Sequence, residues 1–132
     1  MKHVVVFGVF DLLHPGHLYF LQQAKKYGDH LTVVIARDER IIQEKAHKPL
    51  FNEKERLKLV GALKIVDRVV LGDKRNEWTI IRKLHPDVIC VGYDQDINLI
   101  RRCGEFKKTP KLIQIKAYHS TRYASSKIKQ IC

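Results

Sequence analysis

The 132-residue chain carries 25 Lys and Arg against 14 Asp and Glu, a formal net charge of +11. Its length fits a single domain over residues 1–132, large enough to bury a core. No apolar run approaches the roughly 20 residues that span a membrane. The amino terminus enters an apolar segment at once, so we expect no signal peptide. Three cysteines without metal-ligand spacing favour a reducing compartment, so we expect a cytoplasmic protein without a membrane partner.

The positive charge is concentrated in the last quarter of the chain. Residues 101–132 contain nine Lys or Arg and a single acid, Glu105. Such a segment suits a nucleic acid, or a triphosphate beside a second phosphate ester, or it is a solvated basic face. Two histidines near the amino terminus favour the nucleotide, and they make nucleic acid the less favoured partner.

The first half of the chain alternates strand and helix. An apolar run predicts a strand at residues 2–7, and helical spacing predicts a helix at 15–27. A second buried strand is predicted at residues 31–36. The polar segment 37–51 follows, and we expect it to be partly helical.

Asn52 begins the second half with a helix-start signal, because Glu55 stands three residues later as in a capping box. The following helix is predicted to bury one apolar face, formed by Leu59, Ala62, Leu63 and Val66. Strands are then predicted at residues 68–71, 87–92 and 111–116, and helices at residues 77–84, 96–102 and 125–131.

This alternation predicts an α/β fold: a Rossmann-like parallel five-stranded sheet with helices on both faces, an α/β/α sandwich. No Gly-x-Gly-x-x-Gly follows the first strand, which argues against an ordinary dinucleotide-binding fold.

The most informative stretch joins the first strand to the first helix, and it reads Gly8-Val9-Phe10-Asp11-Leu12-Leu13-His14-Pro15-Gly16-His17. Open α/β sheets bind ligands at such junctions, where the helix start offers unpaired N–H groups to a phosphate. Two imidazoles there can donate to phosphate oxygens without carrying a full charge. The alternative is structural: His14 caps the helix, and His17 packs on its inner face.

The pattern Gly8-x-Phe10-Asp11-x-x-His14-x-Gly16-His17 resembles the signature of the cytidylyltransferase-like nucleotidyltransferases. These enzymes transfer a nucleoside monophosphate from a nucleoside triphosphate to a phosphorylated acceptor and release pyrophosphate. The resemblance covers residues 4–131. It implies a homodimer, ATP or CTP with Mg²⁺ or another divalent cation, catalytic roles for His14 and His17, and a nucleotide site that includes Gly8, Val9, Phe10 and Gly16.

The resemblance also assigns charged residues on the next loop. A lysine after the second strand is expected to reach the triphosphate, and both Lys48 and Lys45 are candidates. Arg56 can grip phosphate oxygens with its guanidinium, or it forms an ion pair with Glu53 or Asp67.

Asp11 has two interpretations in the sequence. It can hold a divalent metal or orient the acceptor, or it forms an Asx turn in the loop.

The remaining candidates follow the last two predicted strands. Gly92 and Asp94 are expected at the nucleoside, although Asp94 is alternatively a plain turn residue. Hydroxyls and backbone N–H groups at the last helix start can cradle a phosphate, which assigns Ser125 and Ser126 to the nucleotide. His119 and Arg122 stand where glycerol-phosphate cytidylyltransferases carry arginine and glycine, and we assign them to the acceptor.

Short stretches indicate the acceptor. Residues 35–39, 48–51 and 92–95 resemble the archaeal-type FAD synthases, which adenylylate FMN with ATP and a divalent metal. FMN adenylyl transfer is therefore the favoured function. A CTP-dependent cytidylyltransferase acting on glycerol 3-phosphate or a similar alcohol phosphate is the alternative. A non-catalytic nucleotide- or RNA-binding module is less favoured.

Overall fold

The chain forms a parallel sheet flanked by helices. The computed structural model describes residues 2–45, 48–73, 77–93, 95, 98, 106 and 108–116. The strands are β1 (His3–Gly8), β2 (His30–Ile35), β3 (Arg68–Leu71), β4 (Val88–Val91) and β5 (Lys111–Gln114). The helices are α1 (Pro15–Lys25), α2 (Asp38–Lys45), α3 (Glu53–Gly61) and α4 (Glu77–Lys83). Every strand pairing is parallel in the order β3-β2-β1-β4-β5, which confirms the predicted five-stranded α/β sheet.

Both faces of the sheet are covered. Successive side chains of a strand point to opposite faces, which divides the core into two clusters. Val4 packs on one face with Leu21 of α1 and Val60 of α3. Val5 packs on the other face with Ile81 of α4. Because helices cover both faces, the central strands are nearly continuous apolar runs.

The strand order places the ligand-binding edge. The chain builds β2 and β3 on one side of β1, and then returns to build β4 and β5 on the other. The loops that leave β1 and β4 therefore follow strands on either side of a reversal in strand order, at the carboxyl edge of the sheet. Open α/β sheets bind ligands at this kind of switch point.

The start of α3 was predicted correctly, and its predicted buried face is confirmed in part. The Asn52 side chain accepts the Glu55 N–H at 2.9 Å, and the Glu55 carboxylate accepts the Asn52 N–H at 3.1 Å. Leu63 and Val66 pack in the core just beyond the end of α3, as predicted, whereas Leu59 is 42% exposed and Ala62 is also exposed. Within the helix the buried side chains are Arg56 and Val60. The apolar pattern missed part of this face because the largest side chain that the helix buries is an arginine.

Other predicted elements have mixed outcomes. The expected partial helix in residues 37–51 is present as α2. The helices predicted at residues 96–102 and 125–131 lie, apart from residue 98, outside the described residues. Within the described ranges, each helix is too short or too polar to span a bilayer.

At Gly28, where the chain leaves α1, any side chain is expected to destabilise the fold. A Cβ at this position would lie 2.6 Å from Val4 Cγ2 and 2.7 Å from the Lys2 carbonyl oxygen. Because that backbone belongs to the paired β1 region, Gly28→Ala should lower the free energy of unfolding by about 1–3 kcal/mol in a urea titration. Gly61→Ala is the matched control, since its Cβ meets only Val69 Cγ1, at 3.0 Å, and alanine favours the helix. Equal losses in both variants would contradict this argument.

Candidate active site

His14 caps α1 with its ring. Its backbone is extended, and its Nδ1 accepts the Gly16 N–H at 3.1 Å. Pro15 occupies the first helical turn, where its missing N–H is no loss. Because Nδ1 is the acceptor, the hydrogen of the neutral ring is assigned to Nε2, which can donate to a ligand. The capping role and the predicted phosphate-binding role therefore use different atoms of one side chain.

His17 lies against His14 at the same helix start. The two rings stack with centroids 3.9 Å apart, and the Phe10 ring meets His17 edge-on at 5.4 Å. The His17 Nδ1 is buried, and no well-aligned hydrogen bond reaches it from the described residues, although the nearby Leu12 backbone partly opposes the lowering of the His17 pKa. Such atoms are uncommon in folded proteins, and functional sites are one place where they occur. The structure thus brings together the two histidines that the sequence singled out.

Burial keeps both imidazoles neutral. Desolvation, with the neighbouring His14 ring second, lowers the pKa of His17 to about 4. Burial also lowers the pKa of His14 below its ordinary value. Near pH 7 the pair therefore presents uncharged rings at the positive end of the helix dipole.

Gly8 and Phe10 pack against each other beneath the loop that carries the histidines. The Phe10 ring is buried, and a Cβ at Gly8 would lie 2.9 Å from its Cε2 atom. Phe10 also has a φ of 51°, which is strained for a bulky residue and costs about 1–3 kcal/mol. Gly8 thus makes room for the ring that packs against His17, and the strain lies in the loop that carries the histidines.

Asp11 links this loop to a distant segment. The side chain is buried, and its oxygens accept the N–H groups of Leu50 and Phe51, at 2.9 Å each. The Asx turn considered from the sequence would stay within the loop, whereas these bonds join the loop to residues 39 and 40 positions further along the chain. A metal or acceptor contact of Asp11 stays a prediction.

The structure does not support a direct phosphate contact by Arg56. Its side chain has no exposed surface. Its Nε donates to the Phe51 carbonyl at 3.0 Å, Nη1 to the Val9 carbonyl at 2.9 Å and Nη2 to Asp38 Oδ1 at 2.6 Å. A guanidinium in this position cannot meet a ligand, because the protein itself covers it.

The ion-pair partners considered for Arg56 were also wrong. Its partner is Asp38, whereas Glu53 pairs with Arg37 at 3.0 Å and Asp67 pairs with Lys25. A signal for Asp38 existed, since it is an acid just beyond the end of β2, at the carboxyl edge of the sheet.

Two glutamines hold the loop after β4, and sequence reasoning missed both. Gln95 accepts the Gly92 N–H at 2.7 Å and donates to the Phe7 carbonyl at 3.1 Å, so it ties the end of β4 to that of β1. Gln114 donates to the Gly92 and Tyr93 carbonyls, at 3.3 Å each. No spacing rule singles out an amide that bridges strands far apart in sequence.

The other predicted residues are placed only in part. Lys48 is exposed and lines a cavity of about 370 Å³ with Asp38, Ile42, Pro49 and Leu50. The side chain of Lys45 is outside the described part of the chain. The following predicted residues are likewise outside it: Asp94, His119, Arg122, Ser125 and Ser126.

A divalent cation does not fit a protein cage in the described ranges. They contain no group of three or more His, Cys, Asp or Glu side chains able to hold a metal ion. The Asp11 oxygens already accept two backbone hydrogen bonds. Mg²⁺ commonly binds through substrate phosphates, water and one or two carboxylates. Binding of that kind does not require a closed cage of protein ligands.

Comparison with known proteins gives consistent matches. A family profile described as cytidylyltransferase-like matches residues 5–131. An FAD synthase from Archaeoglobus profundus is 40% identical over 129 residues, which are 96% of this chain and 82% of that protein. An FAD synthase from Thermoplasma acidophilum is 36% identical over an alignment of 133 positions, which covers 98% of this chain and 93% of that protein. The crystal structure of a lipopolysaccharide core biosynthesis protein from Thermoplasma volcanium is 38% identical, with a TM-score of 0.81, covering 89% of this chain and 98% of that one.

The lowered pKa of His17 predicts a loss of stability in acid. The ordinary value is 6.5, and the folded value is about 4, so the unfolded state takes up this proton first. The free energy of unfolding should therefore fall between pH 6.5 and 4, by up to about 3 kcal/mol from this group. Urea titrations from pH 7 to pH 4 on the wild type and on His17→Gln, which does not titrate, measure the effect. Identical pH slopes for the two proteins would show that His17 does not cause it.

Proposed function

Because this chain belongs to the cytidylyltransferase-like family, we propose that it is an FAD synthase, which transfers an adenylyl group from ATP to FMN and releases pyrophosphate. The stacked, neutral pair of His14 and His17 at the start of α1 carries the proposed chemistry. FMN as the acceptor rests on the FAD synthases that resemble the chain over most of its length.

The proposed reaction is a single displacement. An oxygen of the FMN phosphate attacks the α-phosphorus of ATP, and the bond from that phosphorus to the β-bridging oxygen breaks as pyrophosphate leaves. A phosphate monoester has a second pKa of about 6, so most of it is dianionic near neutral pH and no general base is required. The protein contributes position and charge stabilisation.

The histidine pair suits the reacting phosphate for electrostatic reasons. His14 keeps its Nδ1 on the helix cap, so its Nε2–H is the donor that would reach a phosphate oxygen once the substrate is bound. Neutral donors need no counter-charge before substrate arrives, and their hydrogen bonds strengthen as charge builds around the α-phosphorus. The N–H groups at the start of α1 act in the same direction.

The resemblance alone supports the remaining roles. Lys48 or Lys45 would neutralise the leaving pyrophosphate, with Mg²⁺ or another divalent cation bound to the nucleotide. Ser125 and Ser126 would hold a phosphate of the nucleotide. The nucleoside would contact Gly92 and Asp94, and the acceptor would contact His119 and Arg122. We also propose a cytoplasmic homodimer that acts on small molecules rather than on nucleic acid.

Substrate identity is tested by pyrophosphate release in reducing buffer with Mg²⁺. ATP and CTP are each paired with FMN and with glycerol 3-phosphate. We expect turnover with ATP and FMN alone, together with formation of FAD. Turnover with CTP and glycerol 3-phosphate would establish the cytidylyltransferase alternative. No turnover in the four mixtures would refute the proposed acceptors and leave the family assignment standing.

His17→Ala should lower kcat by at least about a hundredfold. Loss of one donor to a developing oxyanion costs roughly 3–4 kcal/mol in comparable sites. The control is His30→Ala, which removes a histidine at the opposite end of the sheet, where His30 begins β2 and meets His3. Circular dichroism verifies that both variants are folded. A folded His17→Ala protein with wild-type kcat would exclude this role.

A further inference from the structure

A buried hydrogen-bonded clamp joins the loop that carries the histidines to the segment that carries Lys48. We propose that Asp11 and Arg56 form this clamp and act as positioning residues, which fix residues 48–51 so that Lys48 lies over the nucleotide phosphates. The inference rests on the proposed function and deepens it. It also assigns Asp11 a role other than metal binding.

The clamp holds consecutive peptide groups from two directions. The Asp11 carboxylate accepts the N–H groups of Leu50 and Phe51, at 2.9 Å each. The Arg56 Nε donates to the Phe51 carbonyl at 3.0 Å, and its Nη1 donates to the Val9 carbonyl at 2.9 Å. Both side chains therefore tie Phe51 to the loop between β1 and α1.

A third arm reaches α2. The Arg56 Nη2 donates to Asp38 Oδ1 at 2.6 Å, and Asp38 Oδ2 accepts the Glu53 N–H at 3.2 Å. Asp38 is the first residue of α2, and Glu53 is the first residue of α3. One buried guanidinium thus relates the starts of both helices that flank residues 48–51.

Stability alone does not account for the clamp, because burying its charged side chains has an unfavourable desolvation free energy. Arg56 has no exposed surface, and Asp11 is 3% exposed. Removing such charges from water is expensive, and apolar side chains often replace them without loss of stability. A guanidinium that donates to two carbonyls of irregular backbone does what an apolar side chain cannot do, because it fixes the path of those segments.

The clamp matters because Lys48 lies on a segment without regular structure. Lys48 is exposed, and a long flexible side chain reaches a defined phosphate only if its backbone is held in place. Displacement of a binding group by about 1 Å can reduce a rate by about a hundredfold. Asp11 and Arg56 would therefore affect turnover through Lys48, without touching the substrate.

The test is a double-mutant cycle between Asp11→Asn and Lys48→Ala. Asparagine keeps the shape of Asp11, but its amide group directs a donor at one of the two N–H groups. In the wild-type background we expect kcat/KM for ATP to fall by about 10- to 100-fold. In the Lys48→Ala background the same change should cost less than about threefold, because the effect passes through Lys48. Equal losses in both backgrounds would overturn the proposal.

Metal titration separates the clamp from a metal ligand. If Asp11 only positions the loop, the Mg²⁺ concentration that gives half-maximal rate stays unchanged in Asp11→Asn. A marked rise in that concentration, with activity restored at high Mg²⁺, would overturn the proposal. Asp87→Asn is the matched control, because Asp87 accepts the His3 N–H at 2.7 Å at the opposite edge of the sheet. Asp87→Asn should leave unchanged both kcat/KM for ATP and the Mg²⁺ concentration that gives half-maximal rate.

Amide hydrogen exchange tests the clamp independently of any substrate. The N–H groups of Leu50 and Phe51 should be protected in the wild type and exchange faster in Asp11→Asn. If Asp11→Asn does not fold, Leu50→Pro removes one of the two donors, and the Leu50 side chain is 59% exposed, so little packing is lost. Unprotected wild-type amides would refute the clamp itself. Protected amides without turnover on FMN would refute the proposed function instead.

Discussion

Parallel pairing of β1 with β2 on one side and β4 on the other is the constraint on which the site depends. Gly8 lies opposite Ile35 in the register of β1 and β2, and Val5 lies opposite Ile89 of β4. Parallel strands end at the same edge, so the loops that follow these three strands open together. The switch point exists because the chain builds strands first on one side of β1 and then on the other, before any catalytic side chain is considered.

At that edge, one side chain combines helix capping with ligand binding. His14 satisfies the Gly16 N–H through Nδ1, and this bond fixes which nitrogen carries the hydrogen. Stacking on His17, with Phe10 against the second ring, shields both from water and favours their neutral forms. A serine cap would have served α1 equally well. The imidazole also carries an N–H donor at Nε2, which a capping role alone does not require.

Sequence patterns correctly predicted the features that depend on neighbouring residues in the chain. The strands and the Asn52 capping box follow from apolar runs and from a spacing of three residues. The orientation of charged side chains follows from no local rule. Arg56 is buried because its acceptors at Val9 and Asp38, 47 and 18 residues away in sequence, meet it in the fold. The same arginine occupies the core-facing side of α3, whereas Leu59 lies on its exposed side, which the apolar pattern alone did not indicate.

Neutral donors and cationic side chains would contact different parts of the bound nucleotide. The described carboxyl edge is internally balanced, since Arg56 pairs with Asp38 and Arg37 pairs with Glu53. The donors next to α1 are uncharged, and Lys48 is a cation that we propose to contact the phosphates. Neutral hydrogen bonds would stabilise the reacting phosphorus, while cations would gather around the pyrophosphate, where negative charge accumulates as it leaves.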